Sequence, residues 1–232
     1  MDVPTTRTPA EDAAGHRARL RARLFEHGGA ALPDYELLEY LLALAIPRRD
    51  TKPLAKALLR EFGGLPAVMT AGAEDLARVK GMGETSVAAI KAAHGIALRL
   101  LKVETTNRPM LGSWQALLDY LRADMAHHQI ERVRVLHMDS RNHLIRDEVM
   151  NEGTIDEAPV YAREVVRRAI QLGSAAIILV HNHPSGDASP SRADIDITRT
   201  IMGALKPLNI ALHDHIIIAR GGHTSLRAQG LM

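Results

Sequence analysis

With 232 residues, 46% of them hydrophobic, the chain holds enough apolar mass for one large core or two modest ones. It contains no cysteine, which excludes disulfides, thiolate zinc fingers and a cysteine nucleophile, so any metal must be held by His, Asp or Glu. The formal net charge is only +2; residues 17–102 carry 14 basic against 9 acidic side chains, a net of +5, and the rest sums to −3, a distribution that permits nucleic-acid contact without demanding it.

No run of about 18 apolar residues occurs and no apolar leader with a cleavage site is visible, so neither a membrane span nor a signal peptide is predicted and a cytoplasmic protein is expected. Residues 1–16 are polar, rich in Thr and Pro, and without apolar periodicity, which predicts a disordered leader. From Arg17 the pattern is helical. Leu37, Leu38, Leu41, Leu42 and Ala45 recur at helical spacing behind Pro33–Asp34, and Pro47 ends that helix. A helix from Thr51 follows, with Leu54, Ala55, Leu58, Leu59 and Phe62 on one face until Gly63–Gly64. AEDLARV, the turn GMG and ETSVAAIKAAHGIALRLLK complete an all-α domain over residues 17–102. Its segment LARVKGMGETSVAAIKAA resembles a helix-hairpin-helix, in which Gly81 and Gly83 permit a tight turn and the next helix offers free N–H groups to a phosphate. Lys80 and Lys91 add charge, so the resemblance implies non-specific, salt-sensitive DNA contact; the competing reading is a packing unit. The row Arg17, Arg19, Arg21 and Arg23 reads as solvated helix charge.

Residues 103–110, VETTNRPM, lose periodicity and contain a proline, which predicts a linker. Behind it, over 111–232, the pattern becomes α/β: a helix from Ser113 to about Ala126, strand ERVRVLHMD, turn SRN, strand HLIRDEVM, helix APVYAREVVRRAIQLG, strand AAIILVHNH, loop PSGDASP, helix SRADIDITRTIMGALKPL and strand ALHDHIIIA. That order predicts a sheet covered by helices.

Residues 181–194, HNHPSGDASPSRAD, form H-x-H, seven residues, then S-x-x-D. Two histidines two apart on a strand leave the same face within reach of one ion. Ser191 stands at a helix start as an N-cap, which makes Asp194 the N3 residue, and Asp194 shares a helical face with Ile197, Ile201 and Leu205 that turns towards the sheet. His181, His183 and Asp194 thus form a ligand set for one Zn2+ per chain with a fourth position open, the pattern of a catalytic rather than a structural site. The cysteine-dependent zinc deaminase pattern and H-E-x-x-H are both absent, and the HNH trigram is too crowded for the nuclease signature of that name.

This motif resembles the JAMM motif of MPN/JAB-type metalloproteases, and nearly all of the chain behind the leader resembles the bacterial RadC family. The resemblance implies a helix-hairpin-helix domain followed by a three-layer α/β JAB/MPN domain with a mixed sheet. It also implies that Glu131, opening the first strand, works on metal-activated water, and that Ser191 stabilises an oxyanion. Strand parity agrees for Glu131, which shares its facing with Val133 and Val135. Glu148, Glu152 and Glu164 compete with it for the proton-shuttle role, and a capping role competes for Ser191. His213, Asp214 and His215 read as strand or as support behind the ligands; the other histidines are assigned no role. The reading is a zinc metallopeptidase or amidohydrolase acting on a peptide, isopeptide or other amide. The alternative is a DNA-binding repair or recombination accessory protein with a structural or vestigial metal site.

Overall fold

The structure, a computed structural model, describes residues 9–106, 114–153 and 161–232. Contacts divide the chain into two compact units, Met1–Ile96 and Ala97–Met232. No helix among the described residues is long and apolar enough to cross a membrane.

The first unit is helical throughout its described residues: α1 (Pro9–His27), α2 (Asp34–Ala45), α3 (Lys52–Phe62), α4 (Leu65–Thr70), α5 (Ala73–Arg78) and the start of α6 (Glu84–Thr106). The expected apolar positions make its core: Leu38 and Leu42 of α2 pack with Leu54, Ala55 and Leu58 of α3, closed by Val68, Leu76, Val87 and Ile90. The α1 helix docks through polar contacts. Arg17 donates to the main-chain carbonyls of Ile46, Pro47 and Arg49, where α2 has run out of its own donors, and Arg23 pairs with Glu36 at 2.6 Å. Two members of the arginine row are therefore internal ties rather than solvated charge.

Two expectations need correction here. The leader proposed for residues 1–16 is helical from Pro9, because proline suits a helix start and the alanine-rich run behind it has high helix propensity; residues 1–8 lie outside the described part. The linker proposed for 103–110 is helical to Thr106, since α6 continues beyond the point where apolar periodicity fades; residues 107–110 lie outside the described part. The α4 helix, six residues long, was too short to register as a period.

The second unit contains α7 (Trp114–Met125), β1 (Glu131–Met138), β2 (Leu144–Gly153), α8 (Ala162–Gln171), β3 (Ala176–Asn182), α9 (Arg192–Leu205), β4 (Ala211–Ala219) and β5 (Gly222–Ser225). The sheet order is β2-β1-β3-β4-β5, antiparallel except for the β3–β4 pair, which the α9 crossover connects in parallel. Helix α7 covers one face, packing Leu117, Leu121 and Met125 on Leu136, Ile178, Val180, Ile216 and Ile218. Helices α8 and α9 cover the other, packing Val165, Ala169, Ile201 and Leu205 on Val135, Ile177 and Leu179. This is the expected three-layer arrangement. The additional strand β5 was missed because GHTS carries no apolar alternation, and the proposed helix over 191–208 gives way to a 3-10 turn after Leu205. The start proposed for the helix at 158–160 lies outside the described residues.

Burial of both sheet faces has a consequence for β1. Arg134, which alternation sends to the side opposite Glu131, is covered by α7 and only 8% exposed. It lies 2.5 Å from Asp124 and 3.2 Å from Asp147, and Tyr120 donates to Asp147 at 2.5 Å. A buried cation is tolerated there because two carboxylates neutralise it.

Candidate metal centre

Strand β3 is buried along its whole length, so its polar residues His181 and Asn182 need partners inside the protein. His183 follows the strand, and its N–H donates to Ile218 at 2.8 Å, which holds it beside β4. The loop behind it turns at Gly186, whose φ of +92 suits glycine, and Gly221 of the β4–β5 turn approaches so closely that a Cβ there would stand 2.9 Å from the Gly186 carbonyl. Ser191 then caps α9 in a capping box: Asp194 N–H donates to Ser191 Oγ at 3.2 Å, and Ser191 N–H donates to Asp194 Oδ2 at 2.7 Å. The Ser191 hydroxyl also donates to Oδ2, at 2.7 Å. Helix packing through Ile201 and Leu205 turns this carboxylate over the end of β3.

The three side chains meet there. His181 Nε2 and His183 Nε2 are 2.9 Å apart, His181 Nε2 is 3.3 Å from Asp194 Oδ1, and His183 Nε2 is 3.5 Å from Asp194 Oδ2. They are the one His/Asp/Glu group of metal-binding geometry among the described residues, with ligand atoms within 4.8 Å of one another. Separations of 3.3 and 3.5 Å fit donors about 2.0–2.2 Å from a shared zinc. The outer ring nitrogens are already engaged. His183 Nδ1 donates to the Asp187 carbonyl at 2.8 Å, so that in the neutral ring Nε2 is the nitrogen with the lone pair. His181 Nδ1 lies 2.8 Å from His215 Nε2, and His215 Nδ1 lies 2.5 Å from Thr198 Oγ1.

Electrostatics favour neutral rings at His181 and His215 and an ionised Asp194, while in the absence of a cation the Asp194 carboxylate draws a proton towards His183. Burial, reinforced by His215, pushes His181 down to about 3, and burial pushes His215 down to about 4. Burial alone would push the Asp194 carboxyl up, but hydrogen bonds from His183 and Ser191 and the charge of His181 outweigh it and hold the group below the ordinary carboxylate range. His183 is raised, chiefly by its hydrogen bond to Asp194. A carboxylate facing two ring nitrogens in a half-buried pocket suits a divalent cation.

Glu131 is half-buried, and burial raises its pKa, with Asp194 adding to the rise and His183 opposing it, so both site residues act on it electrostatically. The pairing Val133↔His181 between β1 and β3, continued by two residues, sets Glu131 opposite His183 on the same face. Asn182, between the two histidines and pointing to the other face, fixes the peptide on each side of Glu131: its Oδ1 accepts the Arg132 N–H at 2.9 Å and its Nδ2 donates to the Ile130 carbonyl at 3.1 Å. Among the competing carboxylates, Glu148 is held bidentately by Arg168 at 2.7 and 2.9 Å and Glu164 pairs with Arg167 at 2.7 Å; the side chain of Glu152 lies outside the described residues.

Asn182, Thr198 and the atom-level role of His215 escape a sequence reading. The one available signal was Thr198, a polar residue four positions after Asp194 on the helix face that otherwise carries Ile201 and Leu205.

In the helical unit, Gly81 and Gly83 form the turn before α6, and Gly81 has φ +102, a conformation that favours glycine. Lys80 is exposed, whereas Lys91 is half-buried and donates to the Ala71 carbonyl at 2.8 Å. The Arg49 guanidinium packs on the turn: a Cβ at Gly81 would lie 2.8 Å from its Nη2. Arg49, remote in sequence, was not among the expected contacts.

Residues 111–231 match the family model of a RadC-like JAB domain, and residues 13–88 match that of a UPF0758 N-terminal domain. A UPF0758 protein of Ruegeria pomeroyi is 49% identical over 217 residues, which cover 94% of this chain and 97% of that protein. The chain belongs to the RadC-like UPF0758 family, with a JAB-type domain behind the family's N-terminal domain.

Proposed function

We propose that the chain is a zinc-dependent hydrolase of JAMM type that cleaves an amide bond in a peptide or isopeptide, with one zinc held by His181, His183 and Asp194. The observation that supports this most is the set of two imidazole Nε2 atoms and one carboxylate facing each other, 2.9 to 3.5 Å apart. Three protein donors leave room for water and substrate. Zinc, when bound, supplies Lewis acidity and lowers the pKa of coordinated water to about 7.

The remaining work falls to the protein's own groups. Glu131 carries a carboxyl whose raised pKa suits it to take a proton from the attacking water and return it to the leaving amine. Asn182 keeps the backbone on each side of that residue in register. Ser191 orients Asp194 by capping α9; to stabilise an oxyanion its hydroxyl must turn away from Asp194 Oδ2. The test is hydrolysis of a fluorogenic peptide library by zinc-loaded protein. Glu131→Gln should retain zinc and lose turnover by about 10²–10⁴-fold. Equal turnover in that variant would overturn the assignment of Glu131.

A second proposal concerns the helical unit. Exposed Lys80 and the Arg49 guanidinium beside the Gly81–Gly83 turn support non-specific contact with a DNA backbone, whether the JAB-type domain acts as an enzyme or the protein is a repair accessory. A gel shift with arbitrary duplex DNA should appear at low salt and fade as salt rises; no shift at low salt would remove the proposal.

A further inference from the structure

We infer that His215 and Thr198 are positioning residues for the metal: they fix which nitrogen of His181 carries hydrogen, and zinc affinity depends on that choice. The inference rests on the zinc reading above. His215 is 3% exposed and Thr198 fully buried, and neither is one of the three proposed ligands. Together they link two of those ligands by a route that does not pass through the metal.

The hydroxyl of Thr198 donates to the Asp194 carbonyl at 2.5 Å, so its oxygen is left to accept at His215 Nδ1, also at 2.5 Å. A neutral His215 that donates from Nδ1 has a bare Nε2, which accepts from His181 Nδ1 at 2.8 Å. His181 is then protonated at Nδ1 and presents an Nε2 lone pair to the site. The chain of bonds can run the other way only if Thr198 donates to His215. His215 then donates to His181 Nδ1, and the hydrogen of His181 sits on Nε2, where it blocks a cation. The Asp194 carbonyl, by claiming the Thr198 proton, selects the first direction. One residue thus offers its carboxylate to the site and, through its backbone, readies the histidine opposite.

The variant Thr198→Val keeps shape and removes the hydroxyl, and Thr198→Ser restores it. Zinc affinity is measured on the full chain by competition with a chromophoric chelator, with circular dichroism confirming that each variant is folded. Thr198→Val should bind zinc about 10–100-fold more weakly, Thr198→Ser should return towards wild type, and His215→Leu should lose at least as much as Thr198→Val. Wild-type affinity in a folded Thr198→Val or His215→Leu variant would overturn the inference while leaving the metal centre standing. A wild-type chain that binds no zinc would overturn both.

Discussion

The two units use their polar side chains in opposite ways. In the helical unit half of the charged groups that stand out in the sequence are engaged with ordinary partners: Arg17 with carbonyls at the end of α2, Arg23 with Glu36, Lys91 with Ala71, whereas Arg19, Arg21 and Lys80 are exposed. At the end of β3 the polar groups converge on one point, two ring nitrogens and a carboxylate, with their other atoms anchored behind them. Tied cations hold helices together; two ring nitrogens and a carboxylate facing one another suit a divalent cation. The spacing of a motif is therefore stronger evidence of chemistry than a local excess of charge.

Several experiments break or sharpen that contrast. The largest effect is expected where charge is buried for structure: Arg134→Ala leaves Asp124 without its cation and Asp147 with Lys102 as its remaining cation, and should cost about 3–5 kcal/mol in urea unfolding. An unchanged midpoint would show that the network is dispensable. Next, if the site is a ligand site, zinc should stabilise the fold by about 2.7 kcal/mol at a free concentration a hundredfold above Kd, and Asp194→Ala should abolish that gain. Thermal shifts with and without chelator read it directly.

A smaller effect should follow pH. His137 is fully buried and held near 4 by burial, against 6.5 when unperturbed. Because its folded-state pKa is depressed, the unfolded chain takes up the proton first, so stability falls as pH drops from about 6.5 towards 4 and levels off below. His137→Leu should lessen that slope without removing it, because His181 and His215 are depressed through the same range; an unaltered slope would assign it to other groups. The smallest effect separates the two lysines of the hairpin. Lys80→Ala should leave stability unchanged and reduce the salt slope of DNA binding by about one, whereas Lys91→Ala should cost about 1–2 kcal/mol and leave that slope alone. The reverse pattern would exchange their roles.

Much of this was legible because it is local. The apolar run AAIILV fixes β3, the alternating Ile197, Ile201 and Leu205 fix the inner face of α9, and the fixed spacing from His181 to Asp194 needs only one strand, one loop and one capped helix turn. What stayed hidden depends on distant pairing. Alternation places Arg134 on the face opposite Glu131, but its two carboxylate partners come from α7 and β2, which only the fold brings to it, and Asn182 gains meaning only through the β1 peptide it holds. His215 meets His181 because β4 lies parallel to β3, a register no periodicity announces. The differences at the ends of helices have another cause: both stretches lack apolar periodicity, yet proline is favoured at a helix start and threonine lowers helix propensity only modestly, so α1 begins at Pro9 and α6 runs to Thr106.

The central claim is that His181, His183 and Asp194 hold a metal, and elemental analysis of the purified chain beside Asp194→Ala tests it most directly. One zinc per wild-type chain, with strong loss in the variant, is the predicted result. A metal-free wild-type chain that resists zinc reconstitution, or equal zinc in both proteins, would contradict it.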